Sequence, residues 1–320
     1  MKLTKARTAA MILVLMLSCG VVTPSANADE GGTSFWLPGQ FGSLAAVPGD
    51  PGWSLPLIYF HGSSDAGGSV EFATDGRITL GLDVTTDLLL FVPTYVLTKP
   101  VWGGQATLSM AGVYGRADVS VDATLTGPGG DVLTGSESDS LTAFGDLFPQ
   151  FSVKWNNGVH NSMFYTMLGV PVGSYKAERL VNIGTNHWSA DVGAGYTYLN
   201  LETGREFSAT AGLTYNFENS DTKYQNGIDA HLDWGFSQFV SEQWHIGLSG
   251  YFYHQITGDS GAGAVLGDFK SRVTGIGPQA GYMFAMNDGQ AYFNIKAYWE
   301  SNAKYRASDW NGWLTLVIPF

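Results

Sequence analysis

Long segments of alternating apolar and polar residues constrain this sequence more than any other feature. Within residues 205–217, Phe207 and Ala209 alternate with Ser208, and a similar pattern runs to the last residue, Phe320. Successive side chains of a strand point to opposite faces, so each such segment has one apolar and one polar face. Segments of about 12–15 residues are longer than ordinary strands and suffice for a tilted strand to cross a bilayer. The pattern predicts an all-β protein, a transmembrane antiparallel β-barrel.

We expect about twelve strands and a single barrel domain over residues 54–320. The predicted spans are 55–64, 86–98, 104–126, 140–155, 159–172, 186–199, 205–217, 228–240, 243–257, 272–285, 290–301 and 309–320. An even number of strands places both chain ends on one side of the membrane, as in bacterial outer-membrane barrels.

The predicted connections alternate between short and long. The short ones are 156–158, 200–204, 241–242 and 286–289, and the long ones are 65–85, 127–139, 173–185, 218–227 and 258–271. Bacterial outer-membrane barrels have short periplasmic turns and longer outer loops. This alternation of short and long connections is a second signal for a membrane barrel, because a soluble β-sandwich does not require it.

The charged polar faces indicate which side of each strand meets water. A soluble core would have to pair every one of these charges, whereas a water-filled lumen would not. The residues expected to line the lumen are Asp191, Asp229, His231, Asp233, Tyr251, Tyr253, Tyr292, Lys296, Tyr298 and Glu300. The tyrosines are equally consistent with packing inside the barrel and with stacking against aromatic substrates.

Residues 1–28 have the pattern of a cleaved export signal. Lys2, Lys5 and Arg7 precede an apolar run that is too short to span a bilayer, and an A-x-A site follows at 26–28. The only cysteine, Cys19, lies inside this segment, so the mature chain is expected to have no thiol chemistry.

Residues 29–53 differ from the rest of the chain in being rich in Pro, Gly and aromatic residues. The prolines remove backbone donors, so the segment is not expected to form a central strand. It is either a periplasmic leader or a plug in the barrel, and its aromatic content favours the plug because disordered segments are poor in aromatic residues. The side chains that would pack in the lumen are Phe35, Trp36, Phe41 and Trp53.

Charge and hydropathy exclude two classes of protein. The formal charge is −12 for the whole chain and −15 without the three cations of residues 1–28. Such an acidic protein repels phosphate backbones, which argues against nucleic-acid binding. After residue 28 no run of 18 apolar residues occurs, which excludes a helical membrane protein.

Two short motifs suggest catalysis, but only weakly. Gly258 to Gly261 reads Gly-Asp-Ser-Gly, like a serine-protease nucleophile segment, yet it lies in a Gly-rich loop without a matching His segment. His160 and Ser162 share a strand face, as in a lipid hydrolase, but have no acid nearby in sequence. We expect no enzyme activity and no catalytic residues.

Metal and cofactor sites are also weakly signalled. His231 between Asp229 and Asp233 on one face could bind a divalent cation, although such a row more often simply faces the water of a pore. Acidic residues in predicted outer loops, among them Asp259 and Asp268, leave open a calcium site at the cell surface. We expect no cofactor and assign no metal site.

Several segments resemble one family of outer-membrane proteins. They are the opening from Phe35 to Trp53, the run Lys154 to Asn161, the pieces 215–218 and 224–227, and the closing run 313–316. Together they are similar to the phenol meta-pathway degradation family of proteobacteria. The resemblance implies an outer-membrane β-barrel and a channel for aromatic or other hydrophobic compounds, and it carries no binding residues over to this chain.

The expected function is passive uptake of small hydrophobic or aromatic compounds across the outer membrane of a Gram-negative bacterium. The alternatives are an outer-membrane lipid-modifying enzyme and a structural or adhesive barrel that uses its outer loops. Expected partners are outer-membrane lipids, lipopolysaccharide and the barrel-assembly machinery, which would bind the C-terminal strand ending in Phe320.

Overall fold

The structure, a computed structural model, consists of strands and their connections. It describes residues 34–71, 77–126, 131–265, 267–286 and 289–320, except for the side chains of 68–71. The strands are β1 Gly52–Glu71, β2 Arg77–Phe91, β3 Thr94–Val96, β4 Gln105–Thr126, β5 Val132–Asn157, β6 His160–Gly169, β7 Ser189–Asn200, β8 Arg205–Asn216, β9 Asp229–Phe239, β10 Trp244–Gln255, β11 Arg272–Met286, β12 Gly289–Lys304 and β13 Ser308–Pro319. In the described part of the chain, no helix is long and apolar enough to span a membrane.

The strands form one closed antiparallel barrel with twelve positions. Apart from β2 and β3, each strand pairs with its neighbours along the chain, and β13 closes the sheet against β1 from Pro319 opposite Ser54 to Ser308 opposite Asp65. β2 and β3 share one position, because both pair with β1 and β4. Pro93 lies between them and lacks a backbone donor, which interrupts the ladder at that point. The prediction of about twelve strands in a closed barrel is confirmed.

The outward face of the barrel is apolar where the strands cross the membrane. Strands β6 to β10 are 10–12 residues long, the length that a tilted strand needs to cross a bilayer. Outward side chains such as Val192, Leu213 and Leu248 are about half exposed. Lipid would cover this surface in the membrane.

Four strands continue far beyond the others at one end of the barrel. On the outward face of β1, β2, β4 and β5, the row Tyr59, Leu89, Tyr114, Phe144 is followed directly by the row His61, Asp87, Arg116, Thr142. This change from apolar to polar side chains marks the edge of the membrane. Beyond it the four strands form a sheet that we call the wing, which comprises residues 62–71, 77–86, 117–126 and 132–142.

The wing corrects part of the sequence analysis. Residues 65–85 and 127–139 were expected to be long connections, but most of each belongs to paired strands. Their Gly, Ser and Asp residues are typical of loops in sequence. Here they form the polar outward face of a sheet in water, where strands need no apolar outward side chains. Long connections remain between β6 and β7, β8 and β9, and β10 and β11, and we call this the outer end of the barrel.

The connection between β6 and β7, residues 170–188, folds back into the barrel. It is attached to β5, where Asp146 accepts hydrogen bonds from the backbone N–H groups of Gly173 and Thr185, each 2.8 Å long. Val181 and Ile183 are buried against apolar side chains of β2 and β4. This connection therefore forms part of the lining of the lumen at its outer end.

Residues 34–50, which we call the inner segment, lie within the barrel and contain turns but no strand. Phe35, Trp36 and Ala46 are buried. β1 begins at Gly52, so Trp53 belongs to the barrel wall, where it is half exposed and contacts Tyr95. The expected signal at 1–28 lies outside the described residues.

Candidate functional site

The lumen has two chemically different sides. The inward side chains of β7 to β12 are mostly polar, and we call this side the polar wall; Asp191, Glu206 and Asp233 belong to it and are buried. The inward side chains of β1, β2, β4 and β5 are mostly apolar, and we call this side the apolar wall; it includes Leu88 and Val113.

The middle of the inner segment is held between two opposite charges of the polar wall. The carboxylate of Asp233 accepts hydrogen bonds from the backbone N–H groups of Gly39 and Phe41, both 3.0 Å long. The Nζ of Lys296 donates to the carbonyl oxygens of Gly39, Gln40 and Phe41 at 2.6, 3.1 and 3.2 Å. Hydrogen bonds with one charged partner are stronger than neutral ones, so this is a firm attachment.

Three further hydrogen bonds hold the end of the inner segment. Glu206 accepts from the backbone N–H of Leu44 at 2.9 Å, and Thr197 accepts from that of Ala46 at 3.0 Å. The Nζ of Lys154 donates to the carbonyl of Val47 at 3.1 Å. The segment therefore follows the polar wall as far as Ala46 and reaches the end of β5 at Val47, and polar side chains satisfy its backbone where strand pairing is absent.

The beginning of the inner segment is anchored by an aromatic stack. The ring of Trp36 lies flat on that of His231, with centroids 3.5 Å apart and an angle of 17°. His231 contacts the carboxylate of Asp191 through Nε2 at 2.8 Å, and neither of these two side chains is exposed. Thr214 donates to the same carboxylate at 2.5 Å. Asp191 can be buried away from water because these hydrogen-bonding partners surround its carboxylate.

The tyrosines of the polar wall bind protein groups. Tyr298 donates to the carbonyl of Gly39 at 3.2 Å, and Tyr251 donates to the carboxylate of Glu300 at 2.5 Å. The hydroxyl of Tyr292 pairs with Nε2 of His245 at 2.9 Å. The guanidinium of Arg306 lies 5.0 Å from the ring centroid of Tyr253. These contacts favour packing over substrate stacking at these four positions.

A cavity of about 470 Å³ lies on the other side of the inner segment, against the apolar wall. Phe35, Leu37 and Phe41 line it from the inner segment, and Phe148 and Met167 line it from the strands. Most of the remaining apolar lining comes from β1, β2, β4 and the 170–188 connection, and Trp310 and Trp313 contribute from β13. Polar side chains, including Asp146 and Arg306, contribute the smaller part of the lining.

The structure brings most of the predicted site residues together and separates one. Phe35, Trp36 and Phe41 contact the polar wall or the cavity, while Trp53 lies apart in β1. Glu300 lines the cavity, whereas the other five charged residues expected to face water in the lumen are buried. They are Asp191, Asp229, His231, Asp233 and Lys296. The inner segment and neighbouring side chains cover them, and Asp229, for example, accepts a hydrogen bond from Asn216 at 2.8 Å.

Sequence reasoning missed two groups of residues that shape the site. Glu206, Thr197 and Lys154 anchor the inner segment, but each looks like an ordinary polar residue at the end of a strand. The apolar wall was also missed, although the run Leu88, Leu89, Leu90 in β2 is apolar on both faces. Such a run in a barrel strand indicates an apolar lumen at that position.

The residues of the weaker catalytic and metal hypotheses have structural contacts. His160 and Ser162 are exposed, and Nδ1 of His160 is 2.7 Å from the hydroxyl of Tyr196. Asp259 is buried and accepts hydrogen bonds from Tyr224 and Gln255. Across the described ranges, no group of three or more His, Cys, Asp or Glu side chains is arranged to hold a metal ion.

The family of the chain follows from a match that covers most of its length. Residues 67–316 match the family model described as "Putative MetA-pathway of phenol degradation". The chain belongs to this family. No protein with curated annotation matches it.

Solved structures place the fold among outer-membrane barrels. An outer membrane channel from Pseudomonas putida F1 is similar with a TM-score of 0.65 and 14% identity, over 85% of this chain and 96% of that chain. A FadL homologue from Pseudomonas aeruginosa gives a TM-score of 0.38 and 10% identity, over 92% and 98% of the two chains. The first of these similarities shows that the barrel has the fold of that outer membrane channel.

Replacing Gly39 by Ala should destabilise the attachment of the inner segment. Gly39 has a φ of +86°, and a Cβ there would lie 2.8 Å from the ring of Tyr298 and 2.9 Å from that of Tyr251. The strained backbone and the clash together are expected to cost about 1–3 kcal/mol. The measurement is the temperature at which the folded band on a gel converts to the unfolded one.

Gly103→Ala is the matched control for Gly39→Ala. Gly103 also has a positive φ, +76°, but a Cβ there would meet no atom within 4 Å. The account predicts that Gly39→Ala lowers the temperature of this conversion more than the control does. Equal losses would mean that the contact of Gly39 with the two tyrosines contributes nothing.

Proposed function

We propose that this protein is a channel for passive uptake of small hydrophobic or aromatic compounds in the outer membrane of a Gram-negative bacterium. The apolar cavity between the inner segment and the apolar wall is the observation that carries the proposal. Membership in a family described by phenol degradation is consistent with aromatic substrates. Residues 1–28 act as the cleaved export signal, and the assembly machinery recognises β13 with Phe320.

The size and lining of the cavity fit apolar solutes. Its volume of about 470 Å³ is roughly three times that of an engineered apolar cavity that binds benzene. Phe35, Phe41, Phe60 and Phe148 line it, and aromatic rings attract other rings through offset and edge contacts. The cavity holds one larger hydrophobic molecule or a few small ones.

The wing extends the apolar path towards the outside. On its inward face, Leu82 lies opposite Val121, and Val84 lies opposite Val119. These four side chains also line the outer part of the cavity. An apolar solute therefore travels along a continuous apolar strip from the wing into the barrel, and then between the inner segment and the apolar wall.

The inner segment acts as the plug that makes the channel selective. A lumen of twelve strands would be wider than one filled by side chains alone. The segment fills its polar half and covers the buried charges, so that the remaining passage is mostly apolar. Ions would have to leave water to enter it, which is costly, and we therefore expect low ion conductance.

Deleting residues 34–47 should raise the conductance of the protein in planar bilayers. Without the segment, water fills the polar half of the lumen and the carboxylates of Asp191, Glu206 and Asp233 line a pore. Acidic side chains favour cations, so the enlarged pore should be cation-selective. The deletion variant must first show the gel shift of a folded barrel. Unchanged conductance in that folded variant would show that the inner segment does not plug the channel.

Filling the cavity should slow uptake without changing ion conductance. Val113→Trp places a large ring in the cavity, because Val113 is buried and lines it. Val192→Trp is the control, since Val192 faces outward and is 49% exposed. The rate at which cells accumulate labelled toluene at low concentration should fall several-fold in Val113→Trp only. Equal rates in both variants would show that the solute does not pass through this cavity.

A further inference from the structure

A row of basic side chains crosses three neighbouring strands on the outward face of the barrel. His254 of β10 lies opposite Arg272 of β11, which lies opposite Lys304 of β12. Tyr253 and Val273 are buried in the lumen, so the residues next to them along the strands point outward. His254 and Lys304 are exposed, and Arg272 is partly exposed.

The two permanent cations of this row have no acidic partner among the described residues, although the Nζ of Lys304 lies 4.6 Å from the ring centroid of Tyr305. Like charges directly opposite each other in a sheet are destabilising. Among the described residues, neither Arg272 nor Lys304 forms an ion pair with a carboxylate. The Nε of Arg272 is shielded from solvent and has no hydrogen bond to any described group. The chain has 28 acidic and 16 basic residues, so acidic partners for these cations are plentiful in the sequence. Neighbouring cations that nevertheless lack an acidic partner indicate a binding site for an external anion.

The row lies at the outer edge of the membrane. It is at the end of β10 and the start of β11, on the side of the long connections that form the outer end of the barrel. Just below it on the outward face, Phe252, Ile276 and Trp299 are 50, 50 and 60% exposed and form part of the apolar band. Basic residues just above an apolar band are at the level of the lipid headgroups.

We propose that this row binds a phosphate of lipid A, the membrane anchor of lipopolysaccharide. Neighbouring strands are about 4.8 Å apart, so donors on three strands span about 10 Å, enough to surround one phosphate. Arg272 binds two of its oxygens and Lys304 supplies a further charge. Lys270, two residues before Arg272, adds another cation, and the contact of Phe269 with Tyr305 at 5.0 Å holds its segment near β12.

Lipopolysaccharide is the source of the phosphate that the position favours. The proposal rests on the outer-membrane location proposed above, where lipopolysaccharide forms the outer leaflet. Trp299 below the row would contact the acyl chains of the same molecule. A site of this kind fixes the orientation of the β10 to β12 side of the barrel in the membrane, away from the wing.

The test compares binding of lipopolysaccharide to the mature protein and to the double variant Arg272→Gln/Lys304→Gln in detergent. Loss of two charged hydrogen-bonding groups should weaken binding about tenfold. Lys176→Gln/Lys223→Gln is the matched control, because it removes two cations from other outer connections and neither belongs to the row. A gel shift on heating shows that each variant is folded.

Three outcomes decide the proposal. Weaker binding in the double variant alone, together with equally weak binding of dephosphorylated lipopolysaccharide to the wild-type protein, supports it. Equal binding by wild type and double variant overturns it. Competition by phosphatidylglycerol as effective as that by lipopolysaccharide overturns the assignment to lipid A. The assay measures lipid binding and not transport. A negative result would therefore contradict the lipid A site but not the proposed channel function.

Discussion

The structure depends on buried charges of the barrel wall binding the backbone of the inner segment. Asp233 and Lys296 are both buried, and a buried charge is tolerated only with hydrogen-bonding partners. The inner segment has no strand partners for its own N–H and C=O groups, which need partners for the same reason. Residues 39–41 supply donors to the carboxylate and acceptors to the ammonium. The two charged side chains and the backbone of the inner segment thus satisfy each other's hydrogen bonds, and neither would be stable in this position alone.

This attachment divides the lumen and determines what remains open. The anchors on His231, Asp233, Lys296, Glu206 and Thr197 lie on the polar-wall side of the segment, and the last anchor, Lys154 at Val47, comes from the end of β5. The other side is left to the apolar wall and the cavity. The wing then has a clear physical role, since its outward face is suited to water and its inward face continues the apolar lining. A barrel that hides its charges in this way is suited to solutes that water dissolves poorly.

The sequence predicted the barrel well because alternation directly reflects which side of a strand meets lipid. Strands such as β8, with Phe207 and Ala209 outward, needed no other information. The wing was missed because its strands meet water on the outside and therefore lack that signal. The burial of Asp191 and His231 was missed because it depends on a segment that lies more than 150 residues earlier in the chain. Residues that meet only in the fold, such as Glu206 and Leu44, leave no local pattern.

Locking the inner segment to the polar wall tests this account most directly. The Oγ atoms of Ser43 and Ser237 are 2.8 Å apart, so Ser43→Cys/Ser237→Cys in a chain without Cys19 should form a disulfide on oxidation. The account predicts that oxidised and reduced protein take up labelled toluene at the same rate, because the passage lies on the opposite side of the segment. Uptake that stops on oxidation and returns on reduction would show that the segment must leave the polar wall, which would contradict the account.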